Sequence, residues 1–307
     1  MKIMIKFKFL VAALFLMLST DLLSQQDPQF TQYMDNTLFV NPAYAGSRGL
    51  MNMTAIHREQ WVGMAGRPRS TTFGIHSPLP YESVGVGLTA VNDVIGPVNS
   101  TLFYADLSYT LRFKNTKGKL AFGLKGGVNL FSSRTDQLAT TDDQDPNLIT
   151  NIQSRVNPNF GAGIYYHTPQ FFVGISTPKI IEQSYDGSTT NLERRHYFLN
   201  AGGVFNLSNT WKLRPTVQFK FTNGSPLSID MSLAAIYSET LWLGLMHRWE
   251  DSFGAFVQYQ ITPQFKAGIA YDQTVTEIAR FNKGTYEILL SYDFVFKKSG
   301  LISPRYF

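Results

Sequence analysis

The sequence predicts an all-β fold: a transmembrane antiparallel β-barrel of fourteen strands, preceded by an N-terminal periplasmic or lumenal segment. Three observations predict it. An export leader is followed by no second long apolar stretch, so a membrane could be crossed only by strands. From residue 51 onward, apolar residues recur at every second position in runs of roughly ten residues. Short connections alternate with longer ones, as in outer-membrane barrels.

Residues 1–24 predict a secretory signal peptide. Three lysines precede an apolar run over residues 9–18, and Ser24 offers a small residue for cleavage. The run is much shorter than the roughly 20 residues that a membrane-spanning helix needs. We therefore expect an exported protein that resides in the bacterial outer membrane.

Composition narrows the possible functions. The chain has no cysteine, which excludes an acylated lipoprotein, a disulfide scaffold and a thiolate metal site. Removing the leader takes away three lysines and Asp21, so the formal charge falls from 27 − 22 = +5 to 24 − 21 = +3. Without a Lys/Arg cluster, this small charge argues against a nucleic-acid partner. An aromatic fraction of 14% against a charged fraction of 16% fits a chain with a lipid-facing surface.

The segment between the leader and the first strand, residues 25–50, is unusually apolar for a linker. It places Phe30, Tyr33, Phe39 and Tyr44 among polar residues and contains a turn signal at Asn41-Pro42. Such a segment is too apolar to remain in water. Two positions stay open: a periplasmic arm on the barrel rim, or a lumen plug and docking element.

The barrel is predicted over residues 51–298, with a periplasmic tail at 299–307. The clearest alternation covers residues 211–222, where Trp211, Phe219 and Phe221 share one face and all the charge lies on the other. Residues 226–239 repeat it, with Met231 and Leu233 on the lipid side. The fourteen predicted strands lie near 51–61, 70–78, 83–92, 100–113, 119–132, 158–167, 170–178, 195–207, 211–222, 226–239, 241–249, 252–262, 265–276 and 284–297.

The connections predict a topology. Short turns recur at every second join, near residues 78–82, 115–118, 168–169, 208–210, 239–240 and 262–264. The other joins are mostly longer, and 133–157 and 179–194 are the largest. Strict alternation with an even strand count places tight turns in the periplasm, long loops outside and both chain ends in the periplasm.

A soluble β-sandwich is the alternative fold, since it also alternates apolar and polar residues. Strands of about ten residues are long for a soluble sheet, where about five to six is usual. Glycines inside the strands are interpreted as kinks that help a curved barrel to close. These are Gly85, Gly87, Gly123, Gly126, Gly127, Gly161, Gly163, Gly202, Gly203 and Gly254.

The sequence offers no catalytic, cofactor-binding or metal site. The five histidines show no i, i+4 or H-E-x-x-H spacing, and no nucleotide-binding or nucleophile-elbow motif is found in context. Asp142, Asp143 and Asp145 cluster in the longest loop, but their spacing does not match an EF-hand and favours a solvated acidic loop over calcium. We expect a protein that is not an enzyme.

Charged residues on the predicted inward faces carry both signs. In a narrow lumen such residues pair across strands and give a closed barrel, whereas a selective pore more often shows one sign. A porin or small-solute channel remains the alternative function, because fourteen strands can enclose a channel. The predicted lumen-facing charges are Asp106, Arg112, Lys125, Lys212, Arg214, Lys220, Asp230, Lys266, Asp272, Glu287 and Asp293.

Residues 26–68 resemble the opening of the PorP/SprF family, in which a QDPxFSQYM-like segment leads into NPAxAG and then HRxQW. Thr31 stands where the family often carries serine. The residues that carry the resemblance are Asp27, Pro28, Phe30, Gln32, Tyr33, Met34, Asn41, Pro42, Ala43, Gly46, His57, Arg58, Gln60, Trp61 and Gly63.

The resemblance implies a non-enzymatic role in type IX secretion, surface attachment or gliding-adhesin export. It implies partners on both sides of the membrane: a secreted adhesin or other cargo with a type B C-terminal domain outside, and periplasmic or lipoprotein components of the secretion or gliding machinery inside. The motif residues are then candidates for partner docking.

Overall fold

The chain, in a computed structural model, forms one antiparallel sheet that closes on itself. The structure describes residues 28–80, 83–113, 117–134, 152–184 and 192–295. The first strand pairs with the last, from Met51 opposite Phe294 to Glu59 opposite Tyr286. Each barrel strand therefore has two hydrogen-bonded neighbours, and the predicted fourteen-stranded barrel is confirmed. Within the described ranges, no helix has the length and apolar character needed to cross a membrane.

Each strand pairs with its neighbours along the chain, in an up-and-down order. The strands are β1 (Met51–Glu59), β2 (Arg69–Pro78), β3 (Val84–Ile95), β4 (Val98–Arg112), β5 (Lys119–Ser133), β6 (Ile152–His167), β7 (Phe171–Thr177), β8 (His196–Gly203), β9 (Trp211–Thr222), β10 (Ser228–Tyr237), β11 (Leu241–Arg248), β12 (Ser252–Gln260), β13 (Phe265–Thr274) and β14 (Thr285–Phe294). A two-residue ladder, Gln183–Ser184 with Leu192–Glu193, lies outside the barrel sheet.

The predicted strand over 195–207 is interrupted. β8 pairs with β9 as far as Gly202 opposite Thr216, and the ladder resumes with Phe205–Asn206 opposite Leu213 and Lys212. Pro215 lies beside the gap, and a proline has no amide hydrogen to donate to a ladder. This proline breaks the regular pairing at one point of the wall.

The ends of the barrel differ, and we name them by their connections. The turn end holds the joins 79–83, 113–118, 168–170, 204–210, 238–240 and 261–264, and the loop end holds 60–68, 96–97, 134–151, 178–195, 223–227, 249–251 and 275–284. Strict alternation of tight and long joins was wrong, because residues 96–97 and 249–251 are tight turns at the loop end. Gly96 and Glu250 adopt positive φ there, at 55° and 60°, which lets long strands turn back at once.

The outer surface is apolar and the inner surface polar, as the alternation predicted. On β9, Trp211 and Phe221 are 39% and 52% exposed, whereas Arg214 and Lys220 are buried. Aromatic pairs lie near both ends of the wall: Trp211 with Tyr237 at the turn end, and Tyr271 with Tyr286 at the loop end. An apolar band between aromatic girdles is the surface that a membrane barrel presents to lipid.

Candidate functional site: an occupied lumen

Residues 28–50 lie inside the barrel, and we call them the lumenal segment. They form a 3-10 turn at Tyr33–Asp35, one α-helical turn at Thr37–Val40 and a second 3-10 turn at Pro42–Tyr44. The side chain of Asn41 accepts a hydrogen bond from the amide of Ala43, which caps the last turn. The buried apolar side chains of the segment are Phe30, Tyr33, Met34, Leu38, Phe39, Val40, Pro42, Ala43, Tyr44 and Ala45. The sequence did not decide between a position on the barrel rim and one in the lumen. In the structure, these residues occupy the lumen.

A cluster around Arg58 holds the segment near the loop end. Arg58 is 2% exposed, and its Nη1 contacts the carboxylates of Asp272, at 2.8 Å, and Glu287. Glu287 also accepts the backbone amides of Thr31 and Gln32, and Thr31 Oγ1 donates to Asp272 at 2.6 Å. Charged hydrogen bonds in a buried site stabilise by about 1.5–3 kcal/mol each. We call these five residues the Arg58 cluster.

Asp35 is the second charged contact of the segment. Its carboxylate lies 2.7 Å from Lys266 Nζ, 3.7 Å from Arg214 Nη2 and 2.7 Å from Gln258 Nε2. A carboxylate of the segment therefore neutralises two cations of the wall.

Backbone groups of the segment are bound as well. Lys125 Nζ donates to the carbonyls of Leu38 and Phe39, at 3.1 Å each, and pairs with Asp106 at 3.2 Å. Four strands farther round the barrel, on β9, the Tyr33 hydroxyl lies 2.9 Å from Thr216 Oγ1. The segment is thus attached to separate strands of the wall.

Glycines of the wall make room for the Asn41–Gly46 stretch. A Cβ atom on Gly123 would lie 2.1 Å from the backbone nitrogen of Ala43, and one on Gly85 would lie 2.2 Å from the carbonyl oxygen of Ala45. Gly163 and Gly174 similarly face the Asn41 side chain, with a Cβ at 2.2 and 2.8 Å. Gly85, Gly123 and Gly163 were interpreted as barrel kinks, but here they receive the segment backbone at close approach.

The segment ends at the turn end of the barrel. The Ser108 hydroxyl donates to the carbonyl of Ala45 at 2.6 Å, and the amide of Gly46 donates to His76 Nδ1 at 3.1 Å. Arg48 pairs with Asp293 at 3.3 Å. β1 then begins beside the last residue of β14. Thr31, by contrast, lies at the loop end, and the two chain ends that were expected in the periplasm lie outside the described residues.

The resemblance motif divides between the lumen and the loop end. Asp27 lies outside the described residues, and Pro28 is half-buried. Gly46, with φ of 73°, makes the close turn against the wall. Those buried in the lumen are Phe30, Gln32, Tyr33, Met34, Asn41, Pro42, Ala43 and Arg58.

The rest of the HRxQW stretch does not reach the lumen. His57 is exposed on the outer face and hydrogen bonds Thr71 at 2.8 Å. Gln60, Trp61 and Gly63 build the loop-end join 60–68, where the amide of Trp61 donates to Thr285 Oγ1 at 3.3 Å. Only Arg58 of this stretch contacts the lumenal segment through a charged group.

Most predicted lumen charges are buried in the interior. Arg112 is a correction: it shares the inward side of β4, but the strand ends there and the side chain is exposed. Lys212 is half-buried at the turn end and pairs with Glu239. The predicted charges that are buried are Asp106, Lys125, Arg214, Lys220, Asp230, Lys266, Asp272, Glu287 and Asp293.

Arg248, Asp35 and Arg48 are among the charged residues that sequence reasoning did not assign to the lumen. Arg248 pairs with Asp230 at 2.7 Å, and its position in β11, on the same side as Met246, could have revealed it. Asp35 and Arg48 belong to the segment, which has no strand periodicity to indicate their direction. Among the described residues no group of three or more His, Asp or Glu is placed to hold a metal ion, and Asp142, Asp143 and Asp145 lie outside them.

The family model for the type IX secretion system membrane protein PorP/SprF matches residues 22–292. The comparison with curated proteins gives no match. Among solved structures, the chain is similar to the Acinetobacter baumannii outer membrane protein Omp33, with 10% identity, a TM-score of 0.46, and coverage of 80% of this chain and 98% of that one. It is also similar to the CymD monoaromatic hydrocarbon channel, with 12% identity, a TM-score of 0.47, and coverage of 84% and 98%. The family match confirms the resemblance, and the chain belongs to the PorP/SprF family of type IX secretion system membrane proteins.

Proposed function

We propose that this protein is a non-enzymatic barrel of the outer membrane that supports type IX secretion by binding an exported cargo protein, an adhesin or other protein with a type B C-terminal domain, at its loop end. Periplasmic or lipoprotein components of the secretion or gliding machinery bind the turn end. The family supports the secretion role, and the apolar outer surface supports residence in a membrane.

One observation carries the proposal: the lumen is filled. The lumenal segment forms side-chain or backbone hydrogen bonds with β1, β5, β9 and β13, which lie around the barrel. A channel for small solutes needs a continuous water-filled path. With its interior occupied by buried apolar side chains and paired charges, the barrel offers its end surfaces to partners.

Planar-bilayer conductance tests the closed lumen. The intact protein is expected to conduct little, and deletion of residues 26–45 should open a large conductance, because the deletion removes most of the segment from a wall that pairs without it. Glu287→Gln is a milder variant for the case in which the deletion fails to assemble. Large steady conductance from the intact barrel would favour a porin and refute the proposal.

Cargo binding is tested separately, in cells of the native host. The barrel is extracted in mild detergent and analysed for a co-purifying exported protein that added protease removes from intact cells. Recovery of such a protein with the intact barrel supports the proposal. Its absence, when the barrel itself is recovered folded, contradicts the cargo role whatever the conductance shows.

A further inference from the structure

A groove of about 800 Å³ is sunk into the outer surface of the barrel, across strands β8–β12. We call it the wall groove. Its floor is formed by the outward sides of Ala201, Gly203, Pro215 and Val217, none of which is as exposed as the residues beside it. Its rim is formed by large apolar side chains that are 47–67% exposed, namely Phe171, Phe205, Leu233, Leu245 and Phe253.

The groove follows from the small residues at these outward positions. Gly203 and Pro215 face each other across the break in the β8–β9 ladder, and Ala201 is the next outward residue of β8. Where an outward position holds no side chain or a short one, the surface lies below the level of the flanking aromatic and leucine side chains. The sequence therefore forms a concave surface on a wall that is otherwise convex.

The floor of the groove lies in the part of the wall that faces hydrocarbon. Pro215 is 215 − 211 = 4 residues from Trp211, which pairs with Tyr237 in the aromatic contact at the turn end. Four residues correspond to about 14 Å of strand at about 3.4 Å per residue. This distance is close to half of a hydrocarbon core of about 30 Å. A chain that enters at the turn-end aromatic residues therefore reaches the level of Pro215.

The lining of the groove selects hydrocarbon as its occupant. Thr216 and Ser232 hydrogen bond each other at 2.7 Å on the inner face. Among the described lining residues, His247 is the polar side chain on the outward face, and its Nδ1 already lies 3.2 Å from the Ser252 carbonyl. An apolar cavity stays dry, and an empty one forfeits dispersion contacts. Another membrane protein gains no hydrophobic driving force there, because lipid tails are as apolar as its side chains.

We propose that the wall groove binds an acyl chain of a phospholipid from the leaflet at the turn end, with the ester end of the chain beside Phe171 and Phe205 and its methyl end towards Val217 and Met231. The volume of the groove falls within the roughly 300–1,000 Å³ of small-ligand sites. A chain in a concave groove contacts protein on several sides, whereas a chain on the convex wall contacts it on one, so the bound chain exchanges more slowly. This site goes beyond the secretion role and does not depend on it.

Photolabelling with a synthetic phosphatidylcholine tests the site. The purified barrel is reconstituted in phosphatidylcholine vesicles that contain a lipid with a diazirine near the ester or near the methyl end of one acyl chain. Peptide mass spectrometry is expected to find the first label on Phe171 or Phe205 and the second on Val217 or Met231. The yield should be several-fold higher than at Leu124 and Ile269, which are 65% and 63% exposed on the lipid face away from the groove. An even yield over the lipid face would overturn the proposal, and the reverse order of the two labels would overturn the leaflet.

Filling the groove gives a second test. Ala201→Phe is expected to lower crosslinking at Met231 several-fold, whereas Ala105→Phe, at an exposed outward alanine of β4, should leave it unchanged. Heat-modifiable gel migration checks that each variant is folded, and Val217→Phe replaces Ala201→Phe if the latter does not fold. Equal crosslinking in folded filled and control variants would contradict the site. A photo-crosslinking residue at position 217 in native membranes should capture lipid, and capture of a second protein in its place would overturn the occupant.

Discussion

Gly123→Ala should release the lumenal segment while leaving the barrel wall intact. Gly123 points inward from β5, and a Cβ there would lie 2.1, 2.4 and 2.5 Å from Ala43 N, Pro42 C and Ala43 Cα. All three are backbone atoms, so no side-chain rotation relieves the contact. Reaching an ordinary separation of about 3.5 Å requires the segment to move by about 1.4 Å.

The free-energy cost of the substitution follows from the contacts that this displacement of the segment breaks. Overpacking a filled interior costs about 1–3 kcal/mol. The displaced stretch also loses two bonds to the wall, from the Asn41 side-chain amide to the Ile164 carbonyl at 3.1 Å and from the Ser108 hydroxyl to the Ala45 carbonyl at 2.6 Å, at about 0.5–1.5 kcal/mol each. The sum is roughly 2–6 kcal/mol, and every 1.4 kcal/mol changes an equilibrium about tenfold. The ratio of closed to open barrels should therefore fall at least about 25-fold.

The assay is single-channel conductance in planar bilayers, with heat-modifiable gel migration as the check that the barrel is folded. Gly126→Ala is the matched control, because it lies three residues along β5 on the outer face and its Cβ would meet Phe160 at 3.5 Å, an ordinary contact. Gly123→Ala is expected to show many more open channels than Gly126→Ala. If both variants are folded and equally closed, the close approach at Gly123 does not hold the lumenal segment in place.

Three further predictions follow from the same contacts. Leu233→Arg, on the lipid face, should cost roughly 2–4 kcal/mol of unfolding free energy and prevent assembly, whereas Leu227→Arg at the loop end should assemble; equal assembly yields on heat-modifiability gels would mean that the outer face is misassigned. Glu287→Gln should raise conductance, since it removes one charge partner of Arg58 and replaces one of the two oxygens that accept the amides of Thr31 and Gln32 with an NH2 donor, while Glu277→Gln, which is exposed, should not; an unchanged closed state in both would contradict the role of the Arg58 cluster. Asp35→Asn should also raise conductance, since it removes the carboxylate that pairs with Lys266 and Arg214; a folded variant that conducts no more than the wild type would refute the assignment.

The strands could be predicted because alternate side chains along each strand face two different surroundings, lipid outside and the lumen inside. On β9 and β10, every second side chain meets lipid, so the alternation is read directly from residues such as Phe221 and Leu233. Arg112 shows where the rule stops, because its inward side chain lies at the strand end and reaches solvent. The alternation of residues along a strand shows on which face of the sheet a side chain lies, but not its position along the barrel axis.

The interior could not be predicted to the same depth. Residues 28–50 have no periodicity, and their conformation depends on groups supplied by distant strands, such as Lys125 for the carbonyls of Leu38 and Phe39. The glycines illustrate the same limit. A glycine inside a strand indicates close approach or a bend, and only the fold shows that Gly123 faces Ala43 while Gly126 faces outward.

The Arg58 cluster also constrains the order in which the molecule is assembled. Its guanidinium comes from the first strand and its carboxylates from the last two, so the cluster cannot be complete until the final seam of the sheet has formed. The chain that the cluster binds precedes the first strand, and its Thr31 and Gln32 amides complete the cluster. Closing the sheet and binding the lumenal segment therefore depend on the same residues, and a barrel that closes without the segment leaves Arg58 and its two acids facing an unfilled interior.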